Sequence, residues 1–356
     1  MQTDTPRVIL VSDDCDLVTY NTFETLAAQG KADVTIAVAE GDTVPETPHC
    51  KRLTISAIRS KWTPKARRDL RRAIADTGAQ AAFCVSTSAL ANMLAAAKGT
   101  DCKVVGYRGT QAKVKSWDPT YRMALLNKRV AHIVCETPDI EQYMGRYVPP
   151  GCLSTLPKPY SLDWVADAMA HPATLDGKGL QICYVGISKG RPHKGLHILL
   201  KAMEQVNAAG MECHLTVVGD TDQSLIDSAP ANVTFTGNRR DALNFIAAAQ
   251  LFVLPSLRDA SPRVIREAEA CGVPCIMTDI PGARDLVITH GPDQTGWLVR
   301  PNDPQAVADA ILAFANTDDD TRRRLSENAR RNIADNYNPQ DYVDYFAQLF
   351  RRLTAE

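Results

Sequence analysis

Residues 251–287 read LFVLPSLRDASPRVIREAEACGVPCIMTDIPGARDLV, and this stretch decides the fold. LFVL is a short apolar run of the buried-strand type, ending at Pro255-Ser256. An acidic loop leads to a helix-like stretch starting near Pro262, where the missing N–H of proline would be unpaired in any case. The helix stops at Cys271-Gly272-Val273-Pro274, and CIMTD follows as a second strand. Strand, helix and strand in this order form a βαβ unit of a parallel sheet. The free N–H groups and positive dipole end of such a helix lie at the strand tips, where they make an anion site.

The same alternation extends in both directions. LQICYVG, CHLTVVGD and NVTFTG read as strands, and KGLHILLKAMEQVNAAG, RRDALNFIAAA, PQAVADAILAFAN, TRRRLSENARRNIADNY and QDYVDYFAQLFRRL as helices. Nearer the start, RVILVS, ADVTIAVA, AAFCVS, KVVGYRG and HIVCET are strands. NTFETLAAQG, SALANMLAAAKG and DPTYRMALLNKRV between them are helices. Periodicity lapses over 151–180 (PPGCLSTLPKPYSLDW, then HPATLDGKG), a composition typical of an interdomain linker. The prediction is an α/β chain of two Rossmann-like, doubly wound domains facing each other across a cleft at the carboxyl ends of their strands. We place the first domain at 1–165 and the second at 166–337. A last helix, 338–356, packs back on the first.

At 356 residues, 45% hydrophobic and 23% charged, the chain can bury two substantial cores without metal or disulfide. The opening MQTDTPRVILVSDD has no basic region before an apolar stretch, so no signal peptide is expected. No run approaches the length of a membrane span. The ten cysteines are scattered without a C-x-x-C pair, which suits a reducing cytoplasm, and no metal set is expected at Cys271/Cys275 or His193/His197. The net charge of −1 is asymmetric: 21 Lys+Arg against 17 Asp+Glu through residue 165 (+4), and 19 against 24 beyond it (−5).

Asp259 in the acidic loop and Glu267 on the helix are separated by seven residues. A loop acid beside an anion site can hydrogen-bond sugar hydroxyls, and a glutamate one turn into the helix can chelate the two hydroxyls of a ribose. The ordered pattern strand–Pro–Ser–x–x–acidic–small–x–Pro–x4–Glu-Ala, then Cys-Gly-Val-Pro and Thr-Asp, resembles the C-terminal signature of glycosyltransferase family 4, the retaining GT-B enzymes. YVG…HKGLHILLKAM is similar to that family's donor loop. LTVVGD, VTFTGN and TGWLVRPNDPQAVADAI match later landmarks in order, so the likeness covers most of 180–315.

The resemblance implies a metal-independent transferase taking a sugar from a nucleotide-diphosphate donor, with a glycan or lipid-linked acceptor held by the N-terminal domain. Carried over residue by residue, Lys194 matches the donor-diphosphate lysine and Glu267 the ribose-binding glutamate. Asp259 stands where the family usually has a glutamate that contacts the donor sugar. Backbone groups of Ala260, Ser261 and Arg263, with Gly237 of VTFTGN, complete the donor side. A lysine at a helix start is otherwise unfavourable, which favours an anionic partner for Lys194.

The chain departs from the family at several points. Asp259 is one methylene shorter than glutamate, Ala260 replaces a glycine, and Ile187 stands where an arginine is expected. Arg191, or alternatively Lys189, supplies the missing cation. The N-domain histidine that often touches the donor sugar has no match, and Arg108 after KVVGY is the nearest candidate. In place of a glycine-rich loop after the first strand stands Asp13-Asp14-Cys15-Asp16. Asp14 and Asp16 are assigned to the acceptor side, not to a metal. A GT-B sugar-nucleotide epimerase and a non-catalytic nucleotide-binding family member share the architecture and are the alternative readings.

The window 51–72 holds nine Lys/Arg and a single acid, Asp69, with Trp62 among them. Such an element is suited to anionic lipid headgroups. The expectation is peripheral contact with the inner face of a membrane through Lys51–Arg72. Nucleic acid is not an expected partner, because the rest of the chain is not basic.

Overall fold

Short β-branched runs buried on both faces suit a parallel sheet, and the chain builds two of them. The computed structural model describes residues 5–110, 114, 115, 117–259 and 261–355. Its two units are the chain through Pro159 joined by Pro339 onward, and Tyr160–Asn338. The division falls at 159/160, where the sequence suggested 165/166, because Tyr160 and Val165 are buried in the second unit's core.

The first unit contains β1 (Arg7–Val11), α1 (Leu17–Ala28), β2 (Asp33–Ala39), β3 (Lys51–Ile55), α2 (Pro64–Thr77), β4 (Ala81–Cys84), α3 (Thr87–Ala96), β5 (Lys103–Arg108), α4 (Pro119–Arg122), β6 (Val130–Cys135), α5 (Pro138–Met144) and β7 (Leu153–Thr155). Its seven strands run parallel in the order β3-β2-β1-β4-β5-β6-β7. The reversal of winding therefore lies between β1 and β4. Three details differ from the sequence reading. KRLTI forms the edge strand β3, and its charged side chains suit an edge. LST, within the supposed linker, adds β7. Only Pro119–Arg122 of DPTYRMALLNKRV is α-helical, and the Asn127 side chain accepts from Arg129 N in a turn before β6.

The second unit contains a 3-10 turn (Leu162–Val165), α6 (Ala166–Ala170), β8 (Leu180–Val185), a 3-10 turn (Pro192–Lys194), α7 (Leu196–Ala208), β9 (Cys213–Val218), α8 (Gln223–Asp227), β10 (Val233–Gly237), α9 (Ala242–Ala248), β11 (Leu251–Leu254), α10 (Arg263–Ala270), β12 (Cys275–Thr278), β13 (Gly296–Val299), α11 (Pro304–Ala315) and α12 (Asp319–Asn336). Its parallel order is β10-β9-β8-β11-β12-β13, and winding reverses between β8 and β11.

The last helix, α13 (Pro339–Ala355), belongs to the first unit. Its apolar face carries Phe346 and Phe350, both essentially inaccessible, into an aromatic cluster with Phe23 of α1 and Phe83 of β4. The Phe83–Phe346 rings meet edge to face at 5.1 Å and Phe23–Phe83 stack at 5.4 Å, geometries that add to simple area burial. A cavity at the N-terminal ends of these strands is lined by Arg7 and Arg129. Arg7 Nε donates to Gly78 O (2.8 Å) and Arg129 Nη1 to Leu94 O (2.6 Å). Gly78 caps α2 and Leu94 lies in the last turn of α3, so both arginines meet carbonyls at helix C-termini.

A polar contact also ties α13 to the sheet. Buried His132 of β6 meets Ser154 Oγ at 2.8 Å through Nε2, and Ser154 in turn meets Tyr345 OH of α13. Burial first, then nearby Arg352, pushes the His132 imidazole down to about 4. An unfolded histidine takes its proton near pH 6.5. The unfolded state therefore binds the extra proton between these values, and stability falls as pH drops from about 6.5 to about 4. We expect denaturant midpoints to fall over this window in the wild type, and His132→Gln to flatten that part of the slope. An unchanged slope in the variant would rule out this imidazole as the cause.

Candidate active site

At the winding reversal of the second unit, the loops leaving β8 and β11 are joined. Leu257 N donates to His193 O (2.7 Å), and Tyr184 OH donates to Lys194 O (3.4 Å). Gly195 has φ +77°, and a Cβ there would lie 1.9 Å from Pro255 O, so only glycine permits this approach. The joined loops place Lys194 Nζ 2.7 Å from Asp259 Oδ2, with side chains 24% and 19% exposed. A cation thus stands at the strand tips with one carboxylate as its partner.

α10 begins at Arg263, with Pro262 in extended conformation as its cap residue and no acidic side chain in its first turn. Its N-terminal N–H groups therefore keep their positive potential for a ligand. Glu267 pairs with Arg263 Nε at 2.8 Å, the glutamate side chain 13% exposed and the arginine 67%. Burial lifts the Glu267 carboxyl above its ordinary range, while Arg263 and Arg266 pull it back. Tyr160 lies alongside, and the Glu267 charge contributes to the upward shift of its phenol.

Arg266 and Tyr160 are additions that sequence reasoning missed. The buried Arg266 donates from Nη1 to Ser261 Oγ (2.7 Å) and lies over the Tyr337 ring, so it holds the turn that enters α10. Nothing in the spacing separates it from a surface helix arginine. Glu269, two residues beyond Glu267, faces inward and accepts from Asn332 Nδ2 at 2.6 Å. Burial pushes its carboxyl up to about 8, which favours the uncharged form of this core group.

The other assigned positions fall as follows. Arg191 is exposed beside the Pro192–Lys194 turn, its N–H donating to Ser188 O (2.8 Å). Ile187 is 43% exposed. Gly237 ends β10 with φ +67°, a left-handed value that favours glycine. Ala260 lies outside the described residues. Arg108, Asp14 and Asp16 belong to the first unit. Arg108 is buried at the end of β5, where desolvation lowers its affinity for the proton. Asp16 caps α1, accepting from Thr19 N and Oγ1, and pairs with Lys158. Asp14 is exposed with φ +63°. Lys158 Nζ lies 5.2 Å from the Tyr107 ring centroid, and Tyr107 OH donates to Glu136 Oε2 (2.8 Å). Among the described residues, no three His, Cys, Asp or Glu side chains converge as a metal site.

Comparison with known proteins agrees with this local architecture. Residues 179–317 match the family model of the glycosyl transferases group 1. The chain is similar to the capsular polysaccharide biosynthesis glycosyltransferase CapM of Staphylococcus aureus, 28% identical over 171 residues, 46% of this chain and 44% of that protein. It is also similar to the UDP-Gal:alpha-D-GlcNAc-diphosphoundecaprenol alpha-1,3-galactosyltransferase of Escherichia coli, 34% identical over 114 residues, 32% and 28% of the two chains. The chain spans less than half the length of these curated relatives. Among solved structures, sucrose-phosphate synthase from Thermosynechococcus elongatus has a TM-score of 0.77 at 22% identity, covering 98% of this chain and 99% of that one. Anabaena HepE in complex with UDP has a TM-score of 0.73 at 15% identity, covering 97% and 99%. At such identities the likeness is one of fold, and that fold is GT-B.

Proposed function

We propose that this chain, whose residues 179–317 match the group 1 glycosyl transferases, is a retaining glycosyltransferase using a nucleotide-diphosphate sugar. The observation that carries the reading is the Lys194–Asp259 pair at the β8/β11 tips beside the open N-terminus of α10. Lys194 and the α10 N–H groups would stabilise charge developing on the leaving diphosphate as the sugar acquires oxocarbenium character. Asp259, given up by Lys194 when the diphosphate arrives, would accept hydrogen bonds from the donor sugar. Glu267 would hold the ribose, with Ser261, Arg263, Gly237 and Arg191 completing the donor side. The acceptor would lie on the first unit, near Asp14 and Asp16.

The acceptor reading rests on the relatives. One is named for capsular polysaccharide, and another for a diphosphoundecaprenol-linked acceptor. A glycan or lipid-linked acceptor at the inner face of a membrane suits both, with peripheral contact through Lys51–Arg72. Among the described residues no helix is long and apolar enough to cross a membrane.

The test is release of nucleoside diphosphate with and without acceptor. We expect acceptor-dependent release that persists in EDTA, since fixed cations take the role of a metal. Loss of turnover in EDTA with recovery on manganese or magnesium would reject the metal-independent mechanism. Acceptor-independent release accompanied by interconversion of the sugar would favour the epimerase. Binding without release would favour a non-catalytic protein.

A further inference from the structure

The nine cations of 51–72 do not act together. Lys51 is paired with Asp33 at 2.8 Å, and Arg52 donates to Thr47 Oγ1, so the β3 end is internally satisfied. Arg71 donates to Ala96 O and Lys98 O at the end of α3. Lys65, Arg68 and Arg72 are exposed and recur at i, i+3 and i+7, one stripe of α2.

The stripe begins beside a rigid loop. Buried Asn92 accepts from Thr63 N (2.9 Å) and Arg67 Nε (3.0 Å), and donates to Ser60 O (2.8 Å). The Arg67 guanidinium sits 3.8 Å from the Trp62 ring centroid. Although its loop is fixed in this way, Trp62 is 64% exposed. A second segment joins it: Lys61 Nζ donates to Thr120 Oγ1 (2.7 Å) and lies 4.8 Å from the Tyr121 ring centroid. Three residues before Thr120 stands Trp117, 78% exposed, with Lys115 Nζ 5.7 Å from its ring. Two acids lie among these cations, Asp69 beside Arg68 and Arg72 and Asp118 beside Lys61 and Lys115, and each also has hydrogen-bond partners. Asp69 accepts from Ser56 N and Oγ, and Asp118 caps α4.

We infer that Trp62, Trp117 and the Lys65–Arg68–Arg72 stripe form one docking surface for an anionic lipid bilayer, with the two indoles entering the headgroup region. A hydrogen-bonded loop presenting Trp62 to water, with the exposed Trp117 and a stripe of exposed cations, matches an interface that is apolar at shallow depth and negative at its surface. The inference rests on the membrane contact proposed above. It narrows that contact to two loops and one helix face, and leaves out β3.

The test uses the full chain and vesicles of phosphatidylcholine with or without phosphatidylglycerol. We expect sedimentation only with the anionic vesicles, weakening as salt screens the stripe beyond a Debye length of ~8 Å. Trp62→Ser and Trp117→Ser should each weaken binding about tenfold, a loss of the order reported for burying an aromatic anchor. Lys65→Gln/Arg68→Gln/Arg72→Gln should abolish binding, and Arg52→Gln should leave it unchanged. Brominated lipids should quench part of the wild-type emission, and less of it in Trp62→Phe and Trp117→Phe. Vesicle binding that survives both indole substitutions would overturn the inference, as would an Arg52→Gln loss equal to that of the stripe variant. A polyanion such as RNA binding as tightly as vesicles, with no indole dependence, would overturn it too. Nucleoside diphosphate affinity measured on the same variants separates the two readings. Vesicle binding without nucleotide binding would sink the transferase and leave this surface standing.

Discussion

Replacing Lys194 with alanine is expected to lower turnover by ~10²–10³-fold, the usual cost of removing one preorganised group that stabilises transition-state charge. Two effects combine. The cation facing the leaving diphosphate is lost, and Asp259, only 19% exposed, is left without the partner 2.7 Å away. A bare carboxylate there would repel the donor, so affinity should fall as well. The pair makes a separable forecast: Lys194→Ala with Asp259→Asn should recover part of the donor affinity but none of the turnover. Asp259→Asn alone should mainly reduce kcat. Wild-type kcat in Lys194→Ala would remove this residue from the chemistry. Titration calorimetry with the nucleoside diphosphate and steady-state kinetics on the four proteins give every term of the cycle.

Glu267→Ala is expected to weaken nucleoside diphosphate binding roughly ten- to a hundredfold, because a buried hydrogen bond to a charged group contributes about 1.5–3 kcal/mol. Glu267 is buried against Arg263 and beside Tyr160, so its carboxylate is held in place before any ligand arrives. The loss should require the ribose. Inorganic pyrophosphate, which has none, should bind the variant as it binds the wild type. Equal losses for both ligands would point to damage at the α10 N-terminus, and no loss for either would remove the ribose assignment.

The fold was legible wherever a strand was buried on both faces. LFVL, CIMT and CHLTVV are fully buried in the sheet, and their β-branched runs said so. β3 escaped notice because an edge strand tolerates charge, and KRLTI reads as polar. β7 escaped because three residues among prolines and glycines carry no periodicity. In the site, two acids at this spacing are common on any surface, and Asp259 and Glu267 stood out only inside the ordered signature of 251–287 that resembles a known family. Residues that act through space did not. The Lys194–Asp259 contact joins positions 65 apart in the chain, and Tyr160 reaches Glu267 from the supposed linker. Pattern along a chain encodes which face a residue presents, not which distant loop it will meet.

The place of α13 has a consequence for biosynthesis. The first unit's aromatic cluster needs Phe346 and Phe350, yet residues 160–338 emerge from the ribosome before them. At about 5–20 residues per second, roughly ten to forty seconds separate the two parts of that core. During that interval Phe23 and Phe83 are on the chain without their covering helix. The second unit has all of its segments available first. Translation speed and chaperone supply should therefore influence the yield of the first unit more than that of the second, although it is the first to be synthesised.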